Sequence, residues 1–417
     1  TFSFLGAVPL EETEQEWGHV TVRRGAHMFW WLYYTTADVS NYTERPLIIW
    51  LQGGPGMPSS GYGNFMEIGP LDINFNRRDY SPIQDFNVLF IDNPVGVGYS
   101  YVDGNDTKTP KNNEEIGEDL FRFLKIFMNE KEEFQDVPLY IFGESYGGKM
   151  AVEFACQIAK KKKKHKHKWN FKGIGLGNSY ISPVEYIRSY SSLAYQLGLV
   201  DKQGFTRIDE LAKQIEVLIN KKDFEEAADV ELTMMQALVK EMPGVDVYNF
   251  NARTNISSEP SLFSYLGPFT EKMNSLVKSY LGVAEEKEWK FLNNEIYESL
   301  SKDLLKSVAK RVEFLLNNTD IKIIVYNGLL DFLVNTAGTR LWMENLRWKS
   351  RDKWKEASQQ YFSVDGYIEG YVKQADNLFL YVIFRAGHSV PVDNMAAFRE
   401  MLIKELIYSE MLTSILY

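Results

Sequence analysis

The chain of 417 residues carries 46 Lys and Arg against 56 Asp and Glu, a formal charge of −10. That balance excludes nucleic acid or an anionic membrane as the main partner, and no run reaches the roughly 18 consecutive apolar residues that a membrane span needs. Composition is that of a globular protein, 45% hydrophobic and 24% charged, and Cys156 as the sole cysteine excludes an internal disulfide or a multi-cysteine metal site.

Taken in chain order, strand-length apolar runs open at residues 19–23 and 27–35. The Phe29-Trp30-Trp31-Leu32-Tyr33-Tyr34 stretch reads as a buried antiparallel hairpin at a sheet edge rather than a platform for stacked bases. Further runs follow at 47–51, 88–91, 139–142, 173–176, 321–326 and 378–384, several without polar alternation, as in strands buried on both faces. Between them, 114–134 and 146–164 repeat apolar residues at helical spacing. Alternating strands and helices indicate an α/β fold, a mostly parallel sheet covered on both sides. The basic run 160–168 reads as a solvated helix end, with an anionic-surface contact as the alternative. From 181 to 309 strand runs nearly vanish, and helical patterns fill 202–219, 223–242 and 291–316. The expected organisation is a core in two parts, 1–180 and 310–417, separated by a helical insertion over 181–309.

Gly143-Glu144-Ser145-Tyr146-Gly147 fits G-x-S-x-G between a strand and a helix. Such a serine sits in a cramped turn and needs a base to become a nucleophile. Of the five histidines, His19 and His27 lie in the first strands and His165 and His167 in the lysine run. His388 alone follows a late strand, so it is the candidate base. Asp331, at the end of the 321–326 strand, completes the order Ser, acid, His, and would fix the imidazole tautomer. Gln52-Gly53-Gly54-Pro55-Gly56 also follows a strand. Gly54 N–H and Tyr146 N–H are the candidate oxyanion donors.

Together, W-L-Q-G-G-P-G, E-I-G-P-L, I-D-N-P-V-G-V-G-Y-S, G-E-S-Y-G-G-K, V-Y-N-G-x-x-D and G-H-x-V-P make the chain resemble the serine carboxypeptidase family, nearest its retinoid-inducible and vitellogenic-like branches, from Trp17 to about Glu405. The resemblance implies an α/β-hydrolase fold with a helical cap and removal of single residues from peptide C-termini through an acyl-enzyme. It implies action at acidic pH in lysosomes, vacuoles or secretions, with peptide or protein C-termini as partners and no metal or organic cofactor. It also implies that Gln52, Glu67 and Glu144 hold the substrate's terminal carboxylate, which requires Glu67 and Glu144 to share a proton. Gln52 stands where the family usually has Asn, Met57-Pro58 separates the glycines from Ser59-Ser60, and Ser389 replaces the usual Met, removing apolar bulk near the leaving group. Acyl transfer and a non-catalytic binding role are the alternatives on the same scaffold. Sequons at Asn41, Asn105, Asn255 and Asn317 are glycosylation candidates.

Overall fold

The computed structural model describes residues 10, 13–104, 108–165, 169–254, 266–285 and 287–408. Eleven strands form one mixed sheet: β1 (Gln15–Arg23), β2 (Ala26–Tyr33), β3 (Leu47–Leu51), β4 (Asn87–Ile91), β5 (Tyr101–Val102), β6 (Leu139–Glu144), β7 (Phe171–Gly177), β8 (Lys322–Gly328), β9 (Gln360–Val364), β10 (Tyr367–Ala375) and β11 (Leu378–Ile383). Their order is β1-β2-β4-β3-β6-β7-β8-β11-β10-β9, with β5 alongside β2. The run from β4 to β11 is parallel, and antiparallel hairpins close both edges.

Strand period decides which face each side chain serves. In β3, Leu47, Ile49 and Leu51 join a core under α1 (Asn113–Glu130) and α2 (Tyr146–His165), while Ile48 and Trp50 point into the opposite core with Phe142, Tyr326 and Phe398. Both faces are dry because a parallel sheet is covered on both sides. The aromatic run of the first hairpin obeys the same parity: Trp30 packs with the first core, and Phe29, Trp31 and Tyr33 with the second. Cys156 is buried on α2, and burial pushes its thiol up to about 12, so it is a packed side chain.

Three expectations need correction. The helical pattern over 291–316 is two helices, Asn294–Leu304 and Ala309–Asn318, broken where Leu305-Lys306-Ser307-Val308 turns back. The 114–134 helix stops at Glu130 and continues only as a short turn, Glu132–Phe134. Strands β5, β9 and β10 have no counterpart in the sequence reading, because their residues are largely exposed or half-buried and carry weak apolar alternation.

Among the described residues no strand lies between Gly177 and Lys322; helices α3 (Pro183–Gln196), α4 (Lys202–Lys221) and α5 (Phe224–Glu241) and those that follow fill the interval. One buried cation bolts this excursion to α2. Lys149 is fully buried, and its Nζ donates to the carbonyls of Asp303, Leu304 and Lys306 at 2.9, 2.7 and 2.6 Å, at the C-terminal end of Asn294–Leu304. A cation there also meets the negative end of that helix. Lys149→Met strands three carbonyl acceptors, so unfolding stability falls by about 1–3 kcal/mol; urea denaturation reads the loss, and an unchanged midpoint contradicts it.

Candidate active site

Parallel strands present their carboxyl ends at one edge of the sheet, and five consecutive ends deliver the site. Gln52 follows β3, Ser145 follows β6, Asn178 follows β7, Asp331 lies beyond β8 and His388 beyond β11. Ser145 has φ +58, in the left-handed region, where a side chain is strained unless its surroundings hold it. Ser145 N–H donates to Gly177 O and Ser145 O accepts from Tyr180 N. The turn can be this tight only with glycine beside it: a Cβ on Gly147 would lie 2.1 Å from Leu51 O, and one on Gly53 would lie 2.8 Å from Ser145 Cβ and 3.0 Å from Tyr146 N. The Gly53-Gly54 backbone therefore runs against the start of α2. Among the described residues no acceptor takes the N–H of Gly54 or of Tyr146.

His388 Nδ1 lies 2.7 Å from Asp331 Oδ2, with Asp331 fully buried. Asp331 also accepts from Val334 N–H on Oδ1 and from Asn178 Nδ2, at 2.7 Å, on Oδ2. Asn178 Oδ1 in turn accepts from Gly328 N–H. Sequence reasoning missed Asn178, although Gly-Asn-Ser at the end of β7 was the available signal. Backbone fixes the histidine as well: its N–H donates to Tyr248 O at 2.7 Å and the Tyr248 ring packs edge-on at 5.2 Å.

The residue before Ser145 and the residue after His388 are themselves in contact. Ser389 Oγ donates to Glu144 Oε1 at 3.2 Å and lies 3.2 Å from Tyr62 OH. This contact ties the residue before Ser145 to the residue after His388, although among the described residues no hydrogen bond joins the Ser145 hydroxyl to the His388 ring, and it gives Ser389 a polar task beyond the loss of apolar bulk read from sequence. Gln52 Nε2 donates to the same Glu144 oxygen at 3.0 Å, while its own Oε1 accepts from Trp50 Nε1.

Glu67 arrives on a wide helical turn, Ser59–Ile68. Buried Asp92 anchors that turn by accepting from Ser60 N–H and Oγ, and Ser59 Oγ accepts from Gln52 N–H. The Met57-Pro58 departure thus leaves Ser59 and Ser60 tied to the site. Glu67 and Glu144 are both buried, their carboxyls adjoin each other and Ser389, and both Glu67 oxygens and Glu144 Oε2 make no hydrogen bond of ordinary geometry. Burial pushes Glu67 up to about 7. Burial and then the Glu67 charge hold Glu144 well above the usual carboxylate range. Next to His388, Tyr62, Met66, Tyr248, Asn249 and Val392 line a cavity of about 260 Å³.

The other histidines stand apart: His19 bonds Tyr99 O, and His27 pairs with Asp103. His165 closes α2, and His167 lies outside the described residues. Asn41 and Asn317 are exposed, whereas Asn105 and Asn255 lie outside the described residues.

A folded carboxyl with a pKa near 7 binds a proton that the unfolded chain, with a reference near 4.3, has released. Between those values the native state holds more protons, so this pair makes stability fall as pH rises from about 4.3 to about 7. Thermal melts of Glu67→Gln should decline less across that window than the parent; parallel profiles contradict the coupling.

Residues 7–407 match the family model described as serine carboxypeptidase. The retinoid-inducible serine carboxypeptidase of Homo sapiens is 36% identical, over 92% of this chain and 90% of that protein. The vitellogenic carboxypeptidase of Aedes aegypti is 32% identical, over 92% and 81%. A crystal structure of Kex1, a prohormone-processing carboxypeptidase from Saccharomyces cerevisiae, superposes with a TM-score of 0.80 at 25% identity, covering 94% of this chain and 91% of that one.

Proposed function

The chain belongs to the serine carboxypeptidase family, with an α/β-hydrolase fold, and on that premise we propose which of its residues carry the reaction. Ser145 Oγ attacks the last peptide carbonyl while His388 Nε2 takes its proton. His388 keeps the other proton on Nδ1, donated to Asp331, which stabilises the imidazolium. Gly54 and Tyr146 N–H groups receive the developing oxyanion; their backbone segments adjoin and neither is otherwise engaged. His388 then protonates the departing amine, and water releases the acyl group by the reverse path.

What makes this an exopeptidase is the buried pair beside the serine. Glu144 Oε1 already accepts from Gln52 and Ser389, so it carries no proton. One proton therefore belongs between Glu144 Oε2 and Glu67, the three oxygens left without a donor. A pair with one proton can donate to a substrate carboxylate, whereas two ionised glutamates would repel it. The two buried, adjoining carboxyls with three oxygens left without a hydrogen bond are the observation that carries the reading and favours peptides over acyl-transfer substrates.

Its pH dependence follows in sign. Below the pair's raised range the donor is present and peptide C-termini bind; as pH climbs through that range the pair's last proton leaves and KM rises. Dipeptides with a C-terminal amide, or ester substrates lacking the free carboxylate, should show no such rise. Steady-state kinetics on N-blocked dipeptides from pH 4 to 8 checks it, and parallel KM profiles for acid and amide contradict the clasp. Ser145→Ala should cost at least about 10³-fold in kcat and abolish labelling by a fluorophosphonate; retained labelling would place the nucleophile elsewhere.

An enzyme that holds its substrate best at acidic pH suits a lysosomal, vacuolar or secreted setting, and the exposed Asn41 and Asn317 are the glycan sites we assign to it. Asn317 would first give up its Nδ2 bond to Arg347 O, so Asn41 should be the more fully occupied. Glycosidase-dependent mass shifts of the Asn41→Gln and Asn317→Gln proteins from a secreting host test the assignment, and an intact mass unchanged by glycosidase contradicts it.

A further inference from the structure

His388 stands on no regular element. Strand β11 ends at Ile383, and the residues after His388 enter only a short helical turn, Val390–Asp393. Asp331 holds the Nδ1 side of the ring, and among the described residues no hydrogen bond takes Nε2. The backbone of the loop therefore sets where Nε2 stands, and a base works only within hydrogen-bond reach of the proton it takes.

Two consecutive side chains close that loop on itself. Asp393 Oδ2 accepts from Gly387 N–H at 2.7 Å, six positions back, and Asn394 Nδ2 donates to Phe384 O at 2.9 Å. Arg385 has φ +55, so the chain reverses through the left-handed region and needs outside contacts to stay there. So closed, the loop turns His388 toward Asp331 and Ser389 toward Glu144.

The helical excursion supplies those outside contacts through residues 247–250. Val247 O accepts from Phe332 N–H and Leu333 N–H at 3.1 and 3.2 Å, and Phe250 N–H donates to Leu330 O at 3.0 Å, on either side of Asp331. Between them, Tyr248 O takes His388 N–H, and Asn249 Nδ2 donates to Asp393 Oδ2 at 3.1 Å. The fit is close: a Cβ on Gly387 would lie 2.3 Å from Tyr248 O and 2.6 Å from Asn249 Cβ. One Asp393 oxygen thus receives both the histidine's own loop and the excursion.

Resting on the mechanism above, we propose that Asp393 and Asn249 are positioning residues for His388. The Asp393 oxygen is the acceptor that holds Gly387 in place. Asn249 fastens that acceptor to the stretch that already spans the Asp331 loop, so acid and base are set against one another by a single piece of the excursion.

Asp393 is exposed and Asn249 half-buried, so neither substitution opens the core. Both also line the cavity beside His388, so peptide KM would mix positioning with substrate contact. The test therefore follows the rate at which a small fluorophosphonate labels Ser145, a step that needs His388 to take the serine proton. The downfield proton resonance of His388 Nδ1–H is read alongside. Asp393→Ala should slow labelling about 10²-fold and Asn249→Ala about tenfold, as a displaced base would. Asp393→Asn keeps an oxygen where Gly387 N–H needs one, and should label within about threefold of the parent. The resonance should shift or vanish in Asp393→Ala and hold its parent position in Asp393→Asn. Parent-rate labelling of Asp393→Ala overturns the proposal, as does Asp393→Asn slowed as much as Asp393→Ala. Slowed labelling with an unshifted resonance overturns it too. If Asp393→Ala does not fold, Asn249→Ala decides, and its labelling at the parent rate is the contrary result. A parent that labels but cleaves no N-blocked dipeptide defeats the carboxypeptidase mechanism, while the labelling rates still judge Asp393 and Asn249.

Discussion

Two carboxyl groups buried side by side set the terms for the rest of this molecule. Glu144 is held by strand β6 and cannot leave without moving the serine next to it, and Glu67 is held by a turn that Asp92 pins from beneath. Desolvation and mutual repulsion then forbid both from being ionised, so the pair stores a proton at pH values where an exposed glutamate has none. On the proposed mechanism, placing that proton beside a strained serine joins recognition of a chain end to the position of the nucleophile. Ser389 and Gln52 complete the join by donating to the one Glu144 oxygen that the proton does not need.

The sheet makes such proximity possible. Gln52, Ser145, Asn178, Asp331 and His388 are far apart in sequence and meet because five parallel strands end at one edge. Backbone contacts with little slack then fix the fine positions: Gly53 against Ser145, Gly147 against Leu51 O, His388 N–H on Tyr248 O. Lys149 extends that order outward. One turn beyond the serine, it ties α2 to the end of Asn294–Leu304, while Tyr146 OH donates to Asp303 Oδ2 at 2.8 Å. The nucleophile's helix and the helical excursion are thereby one mechanical unit.

Much of this was legible in the sequence because the site uses residue types that few other contexts require. Gly-x-Ser-x-Gly, Gly-Gly-Pro-Gly and the lone late histidine each answer a local steric or chemical demand, and the runs of β3, β4, β6 and β8 announce strands dry on both faces. What escaped depends on contacts distant in sequence. Gly-Asn-Ser at a strand end hints at Asn178 but not at the partner it orients, Asp331, 153 positions away, and nothing local marks Ser389 as a donor to Glu144 across 245. Exposed β9 and β10 lack the burial that writes a pattern, and the 291–316 helix hid its break because Leu305 and Val308 keep apolar spacing through the turn.

The half-protonated pair can be tested without turnover. A peptide product or inhibitor with a free C-terminal carboxylate is titrated into the Ser145→Ala protein by calorimetry, in buffers of different ionisation enthalpy, at pH 5 and at pH 8. The account predicts binding without net proton exchange at pH 5 and uptake approaching one proton at pH 8, lost in Glu67→Gln. Binding at pH 8 with no uptake, or with proton release, would contradict it.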